Sequence, residues 1–381
     1  MKRQPEPQTI VDSKDAATSV GLTYASTDAP GLSRRRVGRG FTYRGPNGDR
    51  LVDRASLDRI RALAIPPAWT SVWICSDPNG HIQAVGADEK GRKQYRYHVK
   101  FREAREGVKF EHMMTFGDAL PRIRRQVHAD MAASGLGRSK VLATVVHLLE
   151  TTMIRIGNES YAKENKSYGL TTLLVRHVSV DGADMKFHFK GKSGKTWRLG
   201  VRDRRVARIV KNCQELPGQH LFQYIDSTGN LQVVTSSDVN AYLREVSGAE
   251  ITAKDFRTWA GTVLAAMALS EFEKADSAAR AKKNITRAIE RVSARLGNTP
   301  TICRKCYVHP EVVSAYLDGR LALDIEEQID DQPRDDLEKL RPVEAAVLSF
   351  LRAHIARAFA ASEATPARSG DPLSPPLAHA A

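Results

Sequence analysis

Four short segments of the sequence concentrate arginine, lysine, tyrosine and asparagine, the residue types that act on phosphate esters. A guanidinium group is planar and always protonated, and its donors match two phosphate oxygens. A tyrosine hydroxyl can attack a phosphodiester and form an aryl ester that stays reactive. These residue types predict chemistry on a phosphate group in which arginines supply the charge that a metal would otherwise supply. In chain order the segments are 154–158 with 165–173, 189–192, 254–259, and 296–300 with 306–307.

Motifs for nucleotides and metals are incomplete in this sequence. A P-loop needs a glycine five residues before its Gly-Lys-Ser/Thr end, and the two candidates have Lys186 and Phe189 at that position. Neither an H-E-x-x-H motif nor an EF-hand loop occurs. Cys303 and Cys306 form a C-x-x-C pair with no second ligand pair. We therefore expect no bound nucleotide, cofactor or metal.

Positive charge dominates the composition. The 381 residues include 58 Lys+Arg against 44 Asp+Glu, a formal net charge of +14, and 41% are hydrophobic. The hydrophobic share is ample for buried cores, and the surplus charge favours a polyanionic partner. No run reaches the roughly 18–20 apolar residues that cross a bilayer, and no apolar stretch follows Lys2 and Arg3 as in a signal peptide. With four cysteines, this composition predicts a cytoplasmic protein without a membrane partner.

The hydrophobic pattern predicts an α+β protein with a small β-rich N-terminal domain and a larger, mainly helical domain that contains a short sheet or hairpin. The predicted divisions are a flexible arm over 1–30, the β-rich domain over 31–115, the helical domain over 116–361 and a disordered tail over 362–381. A positive surface shared by two domains could close around duplex DNA like a clamp.

Local patterns predict individual elements within these domains. Predicted strands are Phe41–Tyr43, Val72–Ile74 and Ile82–Val85, followed by a β-rich stretch over 171–180 and a hairpin of 185–189 with 196–201. Predicted helices are 57–63, 120–131, one from Ser139, one from Ser237, a long basic helix over 270–296 and two more within 310–361.

The four segments together resemble the type IB topoisomerases, especially their compact poxvirus-like and bacterial members. A fifth segment, 88–97, resembles the DNA-clamping stretch of the same family, and the resemblance covers residues 40 to about 350. It implies a catalytic domain over 116–361 with Tyr307 as nucleophile, Arg155 and Arg257 as catalytic arginines, and Lys192 as general acid. The remaining catalytic position, usually histidine in the poxvirus enzymes, is Asn298 here, as bacterial relatives also tolerate.

The chemistry of these side chains is consistent with the implied roles. A phenol is barely ionised at neutral pH, so Arg155 and Arg257 would stabilise the phenolate of Tyr307. Lys192 is predicted at a hairpin tip, where it can reach into a groove, although Lys190 and Lys195 are close rivals for the acid role. The amide of Asn298 cannot transfer a proton, so its predicted role is a hydrogen bond to a phosphate oxygen; alternatively it caps or turns the chain.

Segment 88–97 reads as a basic and aromatic strand. Glutamine can read adenine in the major groove, and cations hold phosphates. The alternative to DNA binding by this segment is an ordinary strand with one buried face. Tyr161 is a further candidate DNA contact, and the alternative for it is an ordinary tyrosine on a helix surface. The predicted DNA-binding residues are Lys90, Arg92, Gln94, Tyr95, Tyr97, Tyr161 and Lys254.

The resemblance implies relaxation of supercoiled DNA, without ATP or metal, through a 3′-phosphotyrosyl intermediate. We expect a monomer acting on duplex DNA in the cytoplasm, associated with the nucleoid of a bacterial-type cell. A tyrosine recombinase would share this chemistry but usually has an H-x-x-R segment, where this chain has Lys254 before Arg257. A catalytically inactive duplex-binding protein is the second alternative.

Overall fold

The computed structural model describes residues 10–89, 91–272, 275–321, 323 and 340–363. The chain divides into two compact units, Met1–Glu111 and His112–Ala381. The elements of the first part of the chain are α1 Ile10–Thr18, β1 Leu32–Val37, β2 Gly40–Arg44, α2 Arg54–Ala62, β3 Thr70–Ile74, β4 Ile82–Ala87, β5 Lys93–Tyr97 and α3 Val99–Ala132.

The five strands form one antiparallel sheet in the order β2-β1-β3-β4-β5. Ala84 of β4 belongs to the core that Ile60 of α2 forms with the sheet, and its partner on β5 is Arg96. The next pair, Val85 and Tyr95, lies on the opposite face because successive side chains alternate. One face of the sheet therefore packs on α2, and Tyr95 lies on the other face.

The predicted flexible arm over 1–30 is wrong for the described residues from 10 onward. Helix α1 forms there, and Ala17 and Leu22 are buried with Phe101 of α3 in a separate small core. The sequence signal was weak because this core is completed by Phe101, about eighty residues later in the chain.

The second unit is mainly helical. After α3 its helices are α4 Arg138–Thr152, α5 Glu159–Asn165, α6 Arg204–Gln214, α7 Ser236–Ser247, α8 Ala253–Ser270, α9 Ala278–Leu296, α10 Pro300–Tyr307, α11 Pro310–Leu317 and α12 Pro342–Glu363. Its strands are β6 Val178–Asp181, β7 Asp184–Lys190 and β8 Thr196–Arg202, which form one antiparallel sheet, and the two-stranded pair β9 Gln223–Ile225 and β10 Leu231–Val233.

Helix α8 lies at the centre of this unit. Twelve of its 18 residues are buried, and it packs against α4, α7, α9, α10, α11 and α12. A buried ion-pair network ties α12 to α3 and α4, since Arg124 bonds to Glu150 at 2.7 Å and to Glu344 at 2.8 Å. A helix surrounded in this way can hold a side chain in one position while several neighbours approach it.

Most predicted elements are confirmed, including the three N-terminal strands, the hairpin of β7 and β8, and the helices at 54–62, 138–152 and 236–247. The β-rich prediction over 171–180 is wrong for its first part: Leu170–Thr172 and Val175–His177 are short 3₁₀ helices, and strand begins only at Val178. The predicted helix over 270–296 begins at Ala278 instead, because Ser277 caps it by accepting a hydrogen bond from the Arg280 backbone. No helix within the described ranges is both long and apolar enough to traverse a lipid bilayer.

Candidate active site

Arg257 lies in the second turn of α8 and is only 3% exposed. Its Nη2 donates a hydrogen bond to the carbonyl of Leu296 at 2.7 Å, and its Nη1 donates to the carbonyl of Met153. Both acceptors lie at helix C-terminal ends, α9 and α4, where carbonyls have no partner within the helix and the helix dipole is negative. Arg257 therefore joins the ends of two neighbouring helices to α8.

The electrostatic environment of Arg257 reflects this position. Burial lowers the pKa of Arg257 below its ordinary value, and the charge of Arg155 lowers it further. Tyr307 acts in the opposite direction and raises that pKa. The guanidinium nevertheless stays protonated throughout the physiological range, because an arginine side chain does not lose its proton in proteins near neutral pH.

Tyr307 is the last residue of α10, and its ring lies beside the guanidinium of Arg257, with 5.2 Å from Cζ to the ring centroid. Gly261, one turn after Arg257 on α8, lets the backbone of Tyr307 approach closely. A Cβ on Gly261 would lie 2.5 Å from the Tyr307 carbonyl oxygen. The hydroxyl of Thr262 donates to the same carbonyl at 3.3 Å and accepts from the His309 backbone at 3.0 Å. Two successive turns of α8 thus hold the guanidinium of Arg257 and the backbone of Tyr307 next to each other.

Asn298 is placed by the way α9 ends. Gly297 adopts a left-handed φ of 64°, its N–H bonds to Ala294 at 3.2 Å, and the N–H of Asn298 bonds to Ser293 at 2.9 Å. These two hydrogen bonds form the Schellman motif, which turns the chain sharply at a helix C-terminus. The amide oxygen of Asn298 then accepts a hydrogen bond from Nη2 of Arg155.

Arg155 lies two residues after Met153, the left-handed residue that ends α4, and its backbone is paired with segment 167–172. Its carbonyl accepts from Leu170 at 2.9 Å, and the next carbonyl, of Ile156, accepts from Thr171 at 2.7 Å. Gly169 has no space for a side chain, since a Cβ there would lie 2.4 Å from the Arg155 carbonyl oxygen. The tightly packed segment 167–172 therefore fixes the backbone of Arg155.

Lys192 lies at the turn between β7 and β8 and is exposed. Segment 167–172 also holds this turn, since Ser167 Oγ donates to the Gly191 carbonyl at 2.9 Å. On the other side, Gly191 and Gly297 both pack closely against the ring of Trp197. A Cβ on Gly191 would lie 2.7 Å from that ring, and a Cβ on Gly297 would lie 2.5 Å from it. The hairpin tip is therefore anchored to both the Arg155 segment and the end of α9.

The structure brings together four of the five predicted catalytic side chains: Arg155 contacts Asn298, and Arg257 contacts Tyr307 and shares the electrostatic environment of Arg155. Lys192 makes no hydrogen bond or ion pair with any residue that the structure describes. Lys190 and Lys195 are exposed as well, so the choice among the three lysines stays a prediction.

Two buried donors of the cluster have no hydrogen-bond partner among the described residues, Nδ2 of Asn298 and Nε of Arg257. A buried donor without an acceptor is costly and calls for an explanation. An anion with several oxygen atoms, held by two guanidinium groups and one amide beside a phenol, would satisfy both donors. The arrangement is therefore suited to attack by the phenol on a bound phosphodiester.

The predicted DNA-binding residues have different environments. Tyr161 is 43% exposed on α5, and Lys254 is exposed in the first turn of α8. Within the first unit, the carboxylate of Asp88 receives hydrogen bonds from Arg92 at 2.8 Å and from Gln94 at 3.0 Å. Tyr95 and Tyr97 are 41% and 38% exposed on β5, as the predicted basic and aromatic strand requires. Lys90 lies outside the described residues.

The sequence did not reveal the residues that position the site, Gly261, Gly297 and Trp197, because their roles depend on contacts between distant segments.

Cys303 is buried on α10, and burial raises the pKa of its thiol to about 11. Within the described ranges, no three His, Cys, Asp or Glu side chains are grouped as a metal site.

Comparison with known proteins places this geometry in a family. Residues 98–332 match the family described as "Eukaryotic DNA topoisomerase I, catalytic core", and residues 40–88 match "Bacterial DNA topoisomerase IB, N-terminal domain". The DNA topoisomerase 1B of Acanthamoeba polyphaga mimivirus is 34% identical over 293 residues, which are 75% of this chain and 87% of that protein. The DNA topoisomerase I of monkeypox virus is 24% identical over 243 residues, 61% of this chain and 72% of that protein.

The two matched regions include parts of both units and define an enzyme of the topoisomerase class, an isomerase, rather than a recombinase or a binding module. The chain belongs to the type IB DNA topoisomerase family.

Proposed function

We propose that this protein relaxes supercoiled DNA by cutting one strand with Tyr307 and resealing it. The phenolic oxygen attacks the scissile phosphorus, the bond from phosphorus to the 5′-oxygen breaks, and a 3′-phosphotyrosyl ester joins enzyme and DNA. Rotation of the free end releases torsion, and the 5′-hydroxyl then attacks the ester and restores the strand. The ester keeps the energy of the broken bond, so the cycle needs neither ATP nor metal.

The observation that carries this proposal is the contact between the Tyr307 ring and Arg257, 5.2 Å apart, with the Arg155–Asn298 pair beside them. In the proposed mechanism the two guanidinium groups neutralise the charge on the pentavalent phosphorus, and the amide of Asn298 donates to a phosphate oxygen. Lys192 protonates the departing 5′-oxygen and takes the proton back during resealing. The proton of the attacking phenol passes to water.

The proposed substrate is duplex DNA, bound without any nucleotide cofactor by a monomer in the cytoplasm, where the protein would associate with the nucleoid. Exposure of Tyr95, Tyr97, Tyr161 and Lys254 supports their proposed contacts with the duplex. Arg92 and Gln94 would bind DNA from positions where Asp88 now holds them. Lys90 completes the proposed set, and closure of a clamp around the duplex stays a prediction.

A plasmid assay in EDTA and without ATP tests the function. The parent chain should relax supercoils of both signs, and Tyr307→Phe should remove relaxation. Tyr224→Phe is the matched control, because Tyr224 is a half-buried tyrosine of β9 outside the proposed site. Relaxation by Tyr307→Phe would refute the assignment, and joining of two duplexes at a fixed sequence without relaxation would support a recombinase instead.

A further inference from the structure

Two of the four cysteines of the chain, Cys303 and Cys306, lie on α10, the helix that ends at Tyr307. Cys303 is fully buried, and Cys306, the residue before the nucleophile, is half-buried. Neither thiol takes part in the proposed cleavage chemistry. These two cysteines, here called the α10 thiol pair, are therefore reactive groups beside the nucleophile that the function does not explain.

The α10 thiol pair lies in the same electrostatic environment as the catalytic cluster. Burial raises the pKa of Cys303 to about 11; the charge of Arg257 acts to lower it, and Cys306 acts to raise it. The influence is mutual, because Cys303 opposes the lowering of the Arg257 pKa that burial causes. Arg257 in turn contacts the Tyr307 ring. A chemical change at the thiols therefore occurs close to the groups that perform cleavage.

The spacing of the two cysteines allows a disulfide only if the helix is distorted. Residues i and i+3 of an α-helix have Cα atoms about 5 Å apart, within the roughly 4.4–6.8 Å that a disulfide spans. Their Cβ atoms lie about 5–6 Å apart, whereas a disulfide brings Cβ atoms to about 3.5–4.5 Å. A bond between Cys303 and Cys306 must therefore draw the two residues together by about 1 Å.

The last turn of α10 is the part that can move. The last four carbonyls of a helix have no partner within the helix, so this turn is held less firmly than the turn before it. Cys303 is fixed in the core, and Cys306 is therefore the residue that shifts. Tyr307 is bonded to Cys306 and would shift with it, which would disturb the ring contact with Arg257 and the close approach of its backbone to α8.

We propose that the α10 thiol pair is a redox modification site, at which oxidation by hydrogen peroxide to a disulfide displaces Tyr307 and stops DNA cleavage. The inference rests on the proposed function and adds reversible control of the same site. It assigns a role to two side chains that the catalytic mechanism does not use.

The reaction consumes two thiols and one hydrogen peroxide and yields one disulfide and two water molecules. Cys306 reacts first because it is half-buried, whereas Cys303 is fully buried and protonated at neutral pH. The Cys306 thiolate attacks one peroxide oxygen, the O–O bond breaks, and a sulfenic acid and one water form. The Cys303 sulfur then attacks the sulfenic sulfur, the S–O bond breaks, and the departing hydroxide takes up the Cys303 proton as the second water. A dithiol reductant reverses the modification by thiol–disulfide exchange.

The test oxidises the full chain with hydrogen peroxide before any DNA is present, and catalase then removes the excess. Single-turnover cleavage of a suicide duplex, in which the released strand cannot religate, gives the rate of adduct formation. Alkylation of the remaining thiols followed by peptide mass mapping shows which cysteines are joined. A second portion of the oxidised protein is reduced with dithiothreitol before the same measurements.

Two variants each remove one sulfur of the pair, Cys306→Ser and Cys303→Ala. The matched control is Cys213→Ala, because Cys213 is also a fully buried cysteine but lies on α6, outside the site. Each protein is compared with itself before and after peroxide, so a lower basal rate from loss of a buried side chain does not enter the comparison. Thermal unfolding checks that each variant is folded.

The parent and Cys213→Ala should each form the disulfide between Cys303 and Cys306 and lose about a hundredfold in cleavage rate, the loss that follows from moving a reacting group by about 1 Å. Dithiothreitol should restore the rate in both. Cys306→Ser and Cys303→Ala should form no disulfide on α10 and should keep their own rates after peroxide.

A parent chain that carries the disulfide and still cleaves at the rate of the reduced protein would overturn the inference. So would peroxide treatment that yields no disulfide between the two cysteines, or an equal loss of rate in both single-cysteine variants. If the reduced parent chain does not cleave DNA at all, the proposed function itself fails, a result that is independent of the disulfide mapping.

Discussion

Replacing Gly261 with alanine should disable the enzyme without unfolding it, because the new methyl group would move Tyr307. Gly261 lies within α8, so its backbone is already helical. Its Cβ would lie 2.5 Å from the Tyr307 carbonyl oxygen and 2.9 Å from the Tyr307 Cβ. An ordinary contact starts near 3.4 Å, so the tyrosine must retreat by about 0.9 Å.

The size of the effect follows from this displacement. A reacting group that is misplaced by about 1 Å can lose on the order of a hundredfold in rate, or about 2.7 kcal/mol of transition-state stabilisation. Alanine is favoured over glycine inside a helix by about 0.5–1 kcal/mol, which offsets part of the roughly 1–3 kcal/mol that displacing the packed Tyr307 backbone costs, so the variant should stay folded with a reduced unfolding free energy. Cleavage and stability are therefore expected to respond differently.

Single-turnover cleavage of a suicide duplex, in which the released strand cannot religate, measures the rate of adduct formation directly. Gly261→Ala should form the adduct about a hundredfold more slowly although thermal unfolding shows that the protein is still folded at the assay temperature. Gly200→Ala is the control, because a Cβ on this β8 glycine meets nothing within 4 Å. A folded Gly261→Ala protein that cleaves at the parental rate would show that the approach of α8 does not position the tyrosine.

Three further predictions concern the residues around Tyr307. Asn298→Ala should slow cleavage by about a hundredfold, as loss of one transition-state donor does elsewhere, whereas Asn298→His should keep most of the rate; equal losses in both would contradict a purely electrostatic role. Arg257→Lys should abolish cleavage and lower the unfolding free energy by about 1–3 kcal/mol in urea, because one ammonium cannot satisfy two separated carbonyls; unchanged stability would count against the bridging role. His112 lies 3.5 Å from Asp255, whose hydrogen bond raises the pKa of the imidazole above 6.5. The His112–Asp255 pair should stabilise the fold fully below pH 6.5, and this stabilisation should be lost as the pH rises through the raised pKa of His112. Between about pH 6 and about pH 9 the parent should therefore lose more thermal stability than His112→Gln. Parallel stability curves for the two proteins would argue against the pair.

The sequence was informative where a residue type itself has chemical meaning or where a local pattern repeats. Tyr307, Arg155, Arg257 and Asn298 stand in motifs that resemble one family, and the hairpin tip was readable from alternating residues around a Gly-Lys-Ser-Gly turn. The long apolar helix α4 was also predicted from its 3.6-residue period. None of these signals needs information about distant parts of the chain.

Features that depend on distant contacts were not predictable in this way. Nothing in the sequence near Arg257 shows that its two terminal nitrogens would bond to carbonyls about a hundred residues before and forty residues after it. Such contacts follow from tertiary packing, which composition and periodicity do not encode.

The most direct test of the account is to identify the residue that becomes attached to DNA. Denaturant is added to the parent chain while it acts on a suicide duplex, the adduct is digested with protease, and the modified peptide is sequenced by mass spectrometry. The account predicts a 3′-phosphodeoxynucleotide on the phenolic oxygen of Tyr307. An adduct on any other residue, or no adduct from a folded chain that relaxes DNA, would contradict it.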